Sequence, residues 1–80
     1  MPNEDLERFR RDLTRLLTDA HSHLELRPDV SVLVAEFIEN YEFGEAYQLI
    51  VYELREKDVP ADAAASLKAA AIMMSLKNLN

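Results

Sequence analysis

Residues 30–54 of the chain read VSVLVAEFIENYEFGEAYQLIVYEL, and the spacing of their apolar side chains sets the fold. Apolar residues recur at steps of three and four, as in an amphipathic helix, first over residues 30–41 and again over residues 43–54. In one unbroken helix the second set would be rotated by about 220° from the first, because each residue turns the helix by about 100°. A break between Tyr41 and Gly44, where the single glycine stands, lets both sets face one core.

Helical spacing continues on both sides of this stretch. The sequence predicts four helices, near residues 4–25, 30–41, 43–57 and 62–77, and therefore an all-α, compact four-helix bundle. The predicted helix N-caps are Asn3, Asp62 and either Asp29 or Ser31. The predicted core residues of the two central helices are Leu33, Phe37, Ile50 and Leu54, together with the rings of Tyr41 and Tyr47.

The size and composition of the chain limit its class. Eighty residues suffice for one small domain, and we expect residues 1–80 to fold as a single helical unit. The absence of cysteine excludes disulfides and thiolate metal sites. The sequence has no apolar run of the roughly 18–20 residues that a membrane span needs, and its charged N-terminus lacks the apolar region of a signal peptide. We therefore expect a soluble, cytoplasmic protein with no membrane partner.

The negative charge of the chain is concentrated in its middle. Residues 28–62 hold nine acidic side chains against Arg55 and Lys57, a net −7, whereas the whole chain has a formal net charge of −6. A solvated helix face is the simplest explanation of such a run. If the charge serves binding, it favours a basic partner and disfavours direct binding of nucleic acid.

The sequence offers little chemistry. His21 and His23 lie two residues apart, so on a helix they point about 200° away from each other and do not share a metal ion. Acidic pairs at i, i+3, such as Glu42 with Glu45, flank apolar stripes on faces that should be wet, whereas a catalytic carboxylate needs burial or a cleft. One glycine does not make a phosphate-binding loop. We expect no enzymatic activity, no catalytic residue, no cofactor and no metal.

The fourth predicted helix is apolar on two sides, which indicates a central position in the bundle or a contact with another chain. One side carries Leu67, Ala70, Ala71 and Met74, and the other carries Ala65, Ala69, Ile72, Met73 and Leu76. We therefore predict that Ile72, Met73 and Leu76 form a surface for self-association, which would make the protein a homodimer.

The two central helices carry the remaining candidate surface, on the sides turned away from their apolar stripes. It comprises Glu36, Glu39, Glu45, Gln48, Tyr52 and Glu56, with Val32 exposed beside them. Tyr52 lies about 180° from the core stripe of its helix, so it is predicted to be exposed. An exposed aromatic ring among polar side chains is typical of a protein-interaction hot spot, although isolated exposed aromatics are also ordinary.

A resemblance points the same way. The run Phe37–Ala46, FIENYEFGEA, is followed by Leu49, Ile50 and Leu54 and closes in Asp58-Val59-Pro60. It resembles the MafI-type immunity proteins, small helical antidotes encoded beside bacterial polymorphic toxins, over about residues 33–60. The matching residues are Glu42-Phe43-Gly44, Ala46, Leu54 and Asp58-Val59-Pro60. The resemblance implies a protein of a contact-dependent growth inhibition system that binds a toxin, commonly a nuclease with a cationic groove, and blocks its active site or substrate path.

Two other functions remain open from the sequence. One is a homodimeric helical adaptor or regulatory protein, associating through the fourth helix without a toxin partner. The other is an acidic mimic of nucleic acid that inhibits a DNA-binding protein of the host, which also needs an acidic face. The neighbouring reading frame separates the first from immunity, because an immunity protein is encoded beside its toxin.

Overall fold

A computed structural model describes residues 2–76, with side chains given for residues 4–75. This part of the chain forms four α-helices and no strand. The helices are α1 (Pro2–Ser22), α2 (Pro28–Glu39), α3 (Phe43–Leu54) and α4 (Ala61–Leu76). The predicted all-α four-helix bundle is thus confirmed.

Helix α1 lies at the centre of the bundle. It packs against each of the other three helices, and α2 and α3 form a hairpin beside it, whereas α4 packs mainly on α1, lightly on α3 and not on α2. Four side chains of α1 point into the core at steps of four, four and three residues: Phe9, Leu13, Leu17 and Ala20. The core is completed by Val30, Val34 and Ile38 from α2, Phe43, Ala46 and Ile50 from α3, and Leu67, Ala70 and Met74 from α4.

The predicted ends of α1 and α3 are each three residues too late. After Ser22 the chain makes i→i+3 hydrogen bonds from His23 to Ala20 and from Leu24 to His21, at 3.1 and 3.2 Å. Tight turns of this kind satisfy the last carbonyl groups of a helix without extending it. Apolar spacing does not distinguish such a turn from one more turn of α-helix.

The predicted N-caps are wrong for α2. The N-cap is Arg27, which makes no capping bond from its side chain, and Pro28 occupies the first turn. Proline suits that position because the first N–H groups of a helix have no internal partner. Ser31 instead lies one turn inside α2, where its hydroxyl meets Nε2 of His21 at 2.6 Å. Asn3 and Asp62 likewise lie within the first turns of α1 and α4.

The break between α2 and α3 lies close to its predicted place, but α2 runs from Pro28 to Glu39, two residues earlier at each end than the predicted 30–41. Tyr41 makes the break and Gly44 does not. Tyr41 has φ 61°, in the left-handed region, whereas Gly44 has no positive φ. The amide of Glu42 donates to Phe37 O at 2.8 Å and that of Tyr41 to Ile38 O at 3.1 Å. These two bonds make a Schellman motif, which normally has glycine at the left-handed position. Gly44 is an ordinary residue of the first turn of α3.

The predicted core is correct in its centre and wrong at its edge. Ile50 is fully buried, and Phe37, Leu54 and Tyr47 are half-buried against the core. Leu33 and Tyr41 were wrongly assigned to the core, since they are 46% and 53% exposed. Leu33 follows Val32 and precedes Val34, and consecutive helical side chains point about 100° apart. With Val34 fully buried, Leu33 is turned to the edge of the helix.

The two apolar sides of α4 have different fates. Leu67, Ala70 and Met74 are buried against α1, which makes α4 a peripheral helix and excludes the central position. Met73 packs against the core of its own chain, while Ile72 is 50% exposed. The side chain of Leu76 lies outside the described residues. Self-association through this side stays a prediction, with Ile72 as its exposed residue.

Gly44→Ala should stabilise the protein by about 0.5–1 kcal/mol. A Cβ atom added at Gly44 meets no atom within 4 Å, and the helical backbone there suits any residue. Alanine lowers the conformational entropy of the unfolded chain and has a higher helix propensity. Urea denaturation followed by circular dichroism measures the change. A loss of stability would show that the glycine is needed at the break after all.

Candidate protein-interaction surface

The six residues predicted to bind a partner are all exposed in the structure. They are Glu36, Glu39, Glu45, Gln48, Tyr52 and Glu56, and we call this set the acidic face. The first two lie on α2 and the next three on α3, whereas Glu56 lies in the turn after α3. The five residues on α2 and α3 lie opposite the buried positions of their helices, whose inward sides are marked by Val34 and Ile50.

An ion pair aligns the two helices that carry the acidic face. Arg27, at the start of α2, donates from Nε and Nη2 to the two carboxylate oxygens of Glu53, near the end of α3, both at 3.3 Å. The start of α2 therefore lies beside the end of α3, and the two helices run antiparallel. The side chain of Glu53 is only 10% exposed, whereas that of Arg27 is 62% exposed, so the contact is shielded from water on the side of Glu53 alone.

Tyr52 is exposed but held in place. Its side chain is 58% exposed, and Cζ of Arg55 lies 3.9 Å from the centroid of its ring. Nη1 of Arg55 also donates to the carbonyl oxygen of Tyr52 at 2.6 Å, which fixes the guanidinium over the ring. Such a cation–π contact restricts the rotamer of Tyr52 before any partner arrives. An ordered aromatic side chain loses less conformational entropy on binding, which is a property of interface anchors.

The hairpin that carries Tyr52 also has exposed aliphatic side chains, and the exposure of most of them was not predicted from the sequence. Val32 is 58% exposed as predicted, but Leu33 and Val51 are also 46% and 43% exposed. Leu33 lies between Asp29 and Glu36 at helical steps of four and three, so it belongs to an acidic stripe of α2. The sequence alone does not reveal this exposure, because adjacent helical residues such as Phe37 and Ile38 can both pack against one core. The surface therefore combines apolar groups with carboxylates.

Tyr41 lies outside the acidic face. Its exposed ring is 4.6 Å from Cζ of Arg10 on α1 and 5.9 Å from the ring of Phe43. A groove of about 560 Å³ beside it is lined by Glu7, Arg10, Arg11, Thr14 and Tyr41. The contact with Arg10 holds the turn between α2 and α3 against α1.

The two histidines make contacts between α1, or the turn after it, and other helices. His21 bonds to Ser31 of α2, whereas His23 faces α4. Nδ1 of His23 donates to the carbonyl oxygen of Asp19 at 2.9 Å, and its Nε2 lies 3.8 Å from the carboxylate of Asp62. That hydrogen bond, aided by the charges of Asp19 and Asp62 and opposed by desolvation, raises the pKa of His23 above its ordinary 6.5. Ser66 of α4 also donates to Asp19 at 2.7 Å.

The raised pKa of His23 predicts a pH dependence of stability. A histidine whose pKa is higher in the folded state stabilises that state fully below its unfolded pKa, and this contribution is lost as the pH rises through the folded pKa. The stability of the wild type relative to His23→Gln should therefore be greater at about pH 6 than at about pH 8. Thermal denaturation of both proteins at the two pH values measures it. A constant difference would mean that protonated His23 gains nothing from Asp19 and Asp62.

The described residues lack the features of a metal centre and of a membrane-spanning helix. They contain no group of three or more histidine, cysteine, aspartate or glutamate side chains placed to hold a metal ion. No helix between residues 2 and 76 is both long enough and apolar enough to cross a bilayer. The acidic face, with its ordered aromatic ring, therefore stays the candidate surface for recognition.

Comparison with known proteins gives no further identification. No protein-family model, curated protein or solved structure matches the chain.

Proposed function

We propose that this chain is an immunity protein that binds and neutralises a cognate bacterial toxin, a nuclease, by occluding its active site or substrate groove. The observation that carries the proposal is the acidic face, five carboxylate or amide side chains and an ordered tyrosine on two antiparallel helices and the turn after the second. A nuclease groove is lined with cations that bind phosphates, and a protein surface with projecting carboxylates competes for the same cations.

The distribution of charge favours this kind of partner. The middle segment, residues 28–62, has a net charge of −7, and it includes both helices of the acidic face. Opposite charge on the partner would speed encounter. Fast capture suits an antidote, since each free nuclease molecule damages the cell that makes it.

The resemblance to MafI-type immunity proteins also supports the proposal. Its motif Glu42-Phe43-Gly44 falls at the start of α3, where Glu42 is the N-cap and Phe43 is buried in the core. The motif therefore lies at the start of the second helix of the hairpin, and Phe43 anchors that helix in the core. The resemblance, over about residues 33–60, thus covers most of the hairpin that presents the acidic face.

Co-expression tests the proposed function. The toxin domain encoded in the adjacent reading frame is produced in a bacterial host with and without this chain, and nuclease activity of the purified domain is measured with increasing amounts of the chain. We expect growth to be rescued and cleavage to be inhibited at equimolar ratio. Growth arrest and cleavage that are unaffected by the chain would reject the proposal.

Exposed Ile72 favours the second candidate, a homodimeric helical adaptor. An aliphatic side chain that is 50% exposed on a peripheral helix is suited to contact with a second copy. If α4 forms a dimer, the wild type sediments as a dimer and Ile72→Glu as a monomer, because a buried carboxylate in that contact has no partner. Sedimentation velocity at several concentrations measures both. Two monomers of equal stability would exclude this role.

A further inference from the structure

A groove lies beside Tyr52 and Glu56 of the acidic face, and the charge of its lining differs from that of the acidic face. It has a volume of about 370 Å³ and lies between the start of α2 and the end of α3. Its lining residues are Arg27, Tyr52, Glu53, Arg55, Glu56 and Lys57. Three of these six are cations. Two of them, Arg55 and Lys57, are the basic residues of the otherwise acidic segment 28–62.

The charges within the groove do not cancel. Arg27 and Glu53 neutralise each other through their two hydrogen bonds. Arg55 and Lys57 then face the single carboxylate of Glu56, so the groove has a net positive charge. Both Arg55 and Lys57 are exposed, and both are within reach of a ligand in the groove.

Arg55 is already placed to bind an anion. The guanidinium lies over the ring of Tyr52 at 3.9 Å and uses one N–H group for the carbonyl oxygen of the same residue. A guanidinium has five N–H groups in one plane, so stacking leaves several in-plane donors available for a carboxylate. The side chain does not have to be ordered anew when the ligand binds.

We propose that this groove binds an acidic side chain of the partner protein, one flanked by an apolar group that packs on Tyr52. A single carboxylate fits the local positive charge. An extended polyanion such as nucleic acid would also meet the carboxylate of Glu56 in the lining and that of Asp58, which follows Lys57 in the chain, and be repelled. For the identity of the partner the inference rests on the proposed function, but the site itself is tested on this chain alone.

The test is an NMR titration of the full-length, 15N-labelled chain with benzoate, which has a carboxylate beside an apolar ring. Saturable shifts are expected at the backbone amides of residues 52–57 and at Nε of Arg55, in the millimolar range that suits so small a ligand. Benzamide and benzylammonium, which have the same ring without the negative charge, should give no saturable shifts there.

Three variants locate the binding. Arg55→Gln and Lys57→Gln should each abolish the saturable shifts while leaving the helical circular dichroism unchanged, since both residues are exposed. Arg10→Gln is the matched control, because Arg10 makes the other contact between an arginine and a tyrosine ring, with Tyr41. It should leave benzoate binding at residues 52–57 intact.

Several outcomes would overturn the inference. They are benzylammonium binding in place of benzoate, benzoate shifts that persist in Arg55→Gln, and no saturable shift at residues 52–57. None of them bears on whether the chain inhibits a toxin. Conversely, a chain that binds benzoate at this groove but fails to protect against the adjacent toxin domain would reject the proposed function and leave the site in place.

Discussion

Leu17→Ala should destabilise the protein by about 2–5 kcal/mol, because a fully buried leucine is replaced and a cavity remains. Leu17 is fully buried on α1, which packs against all three other helices, so the cavity would open within the core of the bundle. A domain of this size has a total stability of only about 4–12 kcal/mol. We therefore expect the thermal midpoint to fall by about 10 °C or more, and a partly unfolded population at ambient temperature.

Leu33→Ala is the matched control for this prediction. It removes the same atoms from a helix, and leucine and alanine have similar helix propensities. Leu33 is 46% exposed, so its truncation should change the free energy of unfolding by no more than about 0.5 kcal/mol. Thermal and urea denaturation of the two variants measure the difference between them. Equal losses for Leu17→Ala and Leu33→Ala would contradict the structure and return Leu33 to the core.

The helical fold was predictable because a repeat of three and four residues has one simple structural meaning. Phe9, Leu13, Leu17 and Ala20 follow that repeat, and all four are buried. The break near Tyr41 was predictable for a similar reason, since the apolar stripes before and after it do not share one continuous helix. These inferences depend on local geometry alone.

The errors occurred where tertiary packing decides between two local solutions. The predicted apolar stripe of α2 included Leu33. Only the position of α1 shows which edge of that stripe is buried. The single glycine was expected at the break, but Tyr41 occupies the left-handed position there and has contacts with Arg10 and Phe43. Such contacts help offset a backbone cost of about 1–2 kcal/mol, and a sequence does not reveal them.

Some features of the candidate site were likewise predictable from the sequence, and others depend on tertiary structure. The exposure of Tyr52 follows from its angle to the core stripe, and so does that of Glu36 and Glu45. The stacking of Arg55 on Tyr52 does not, because it depends on side-chain rotamers at the end of α3. The pairing of Arg27 with Glu53 joins residues 26 positions apart and requires the antiparallel hairpin to be known first.

Tyr52→Ala should weaken the complex with the cognate toxin by about 30-fold, mainly through faster dissociation. This is the effect of losing about 2 kcal/mol, the value that defines a hot-spot residue. Tyr52 is the exposed aromatic ring of the acidic face, and Arg55 holds it in one orientation. Tyr41→Ala is the control, since that ring is equally exposed, contacts an arginine and lies outside the acidic face. It should leave dissociation unchanged.

The carboxylates of the acidic face should act on association instead. Reversing Glu39 and Glu45 to lysine should slow association at low salt by about tenfold and flatten its dependence on salt, because long-range attraction to a basic groove is lost. Glu7→Lys with Glu25→Lys changes the net charge equally at exposed positions outside the face and should have a much smaller effect. Surface plasmon resonance against the adjacent toxin domain, at several salt concentrations, measures both rates. If the two double variants slow association equally, net charge alone guides the encounter. If the rates of all variants equal those of the wild type, the interface lies on another face. The exposed sides of α1 and α4 are then the nearest candidates.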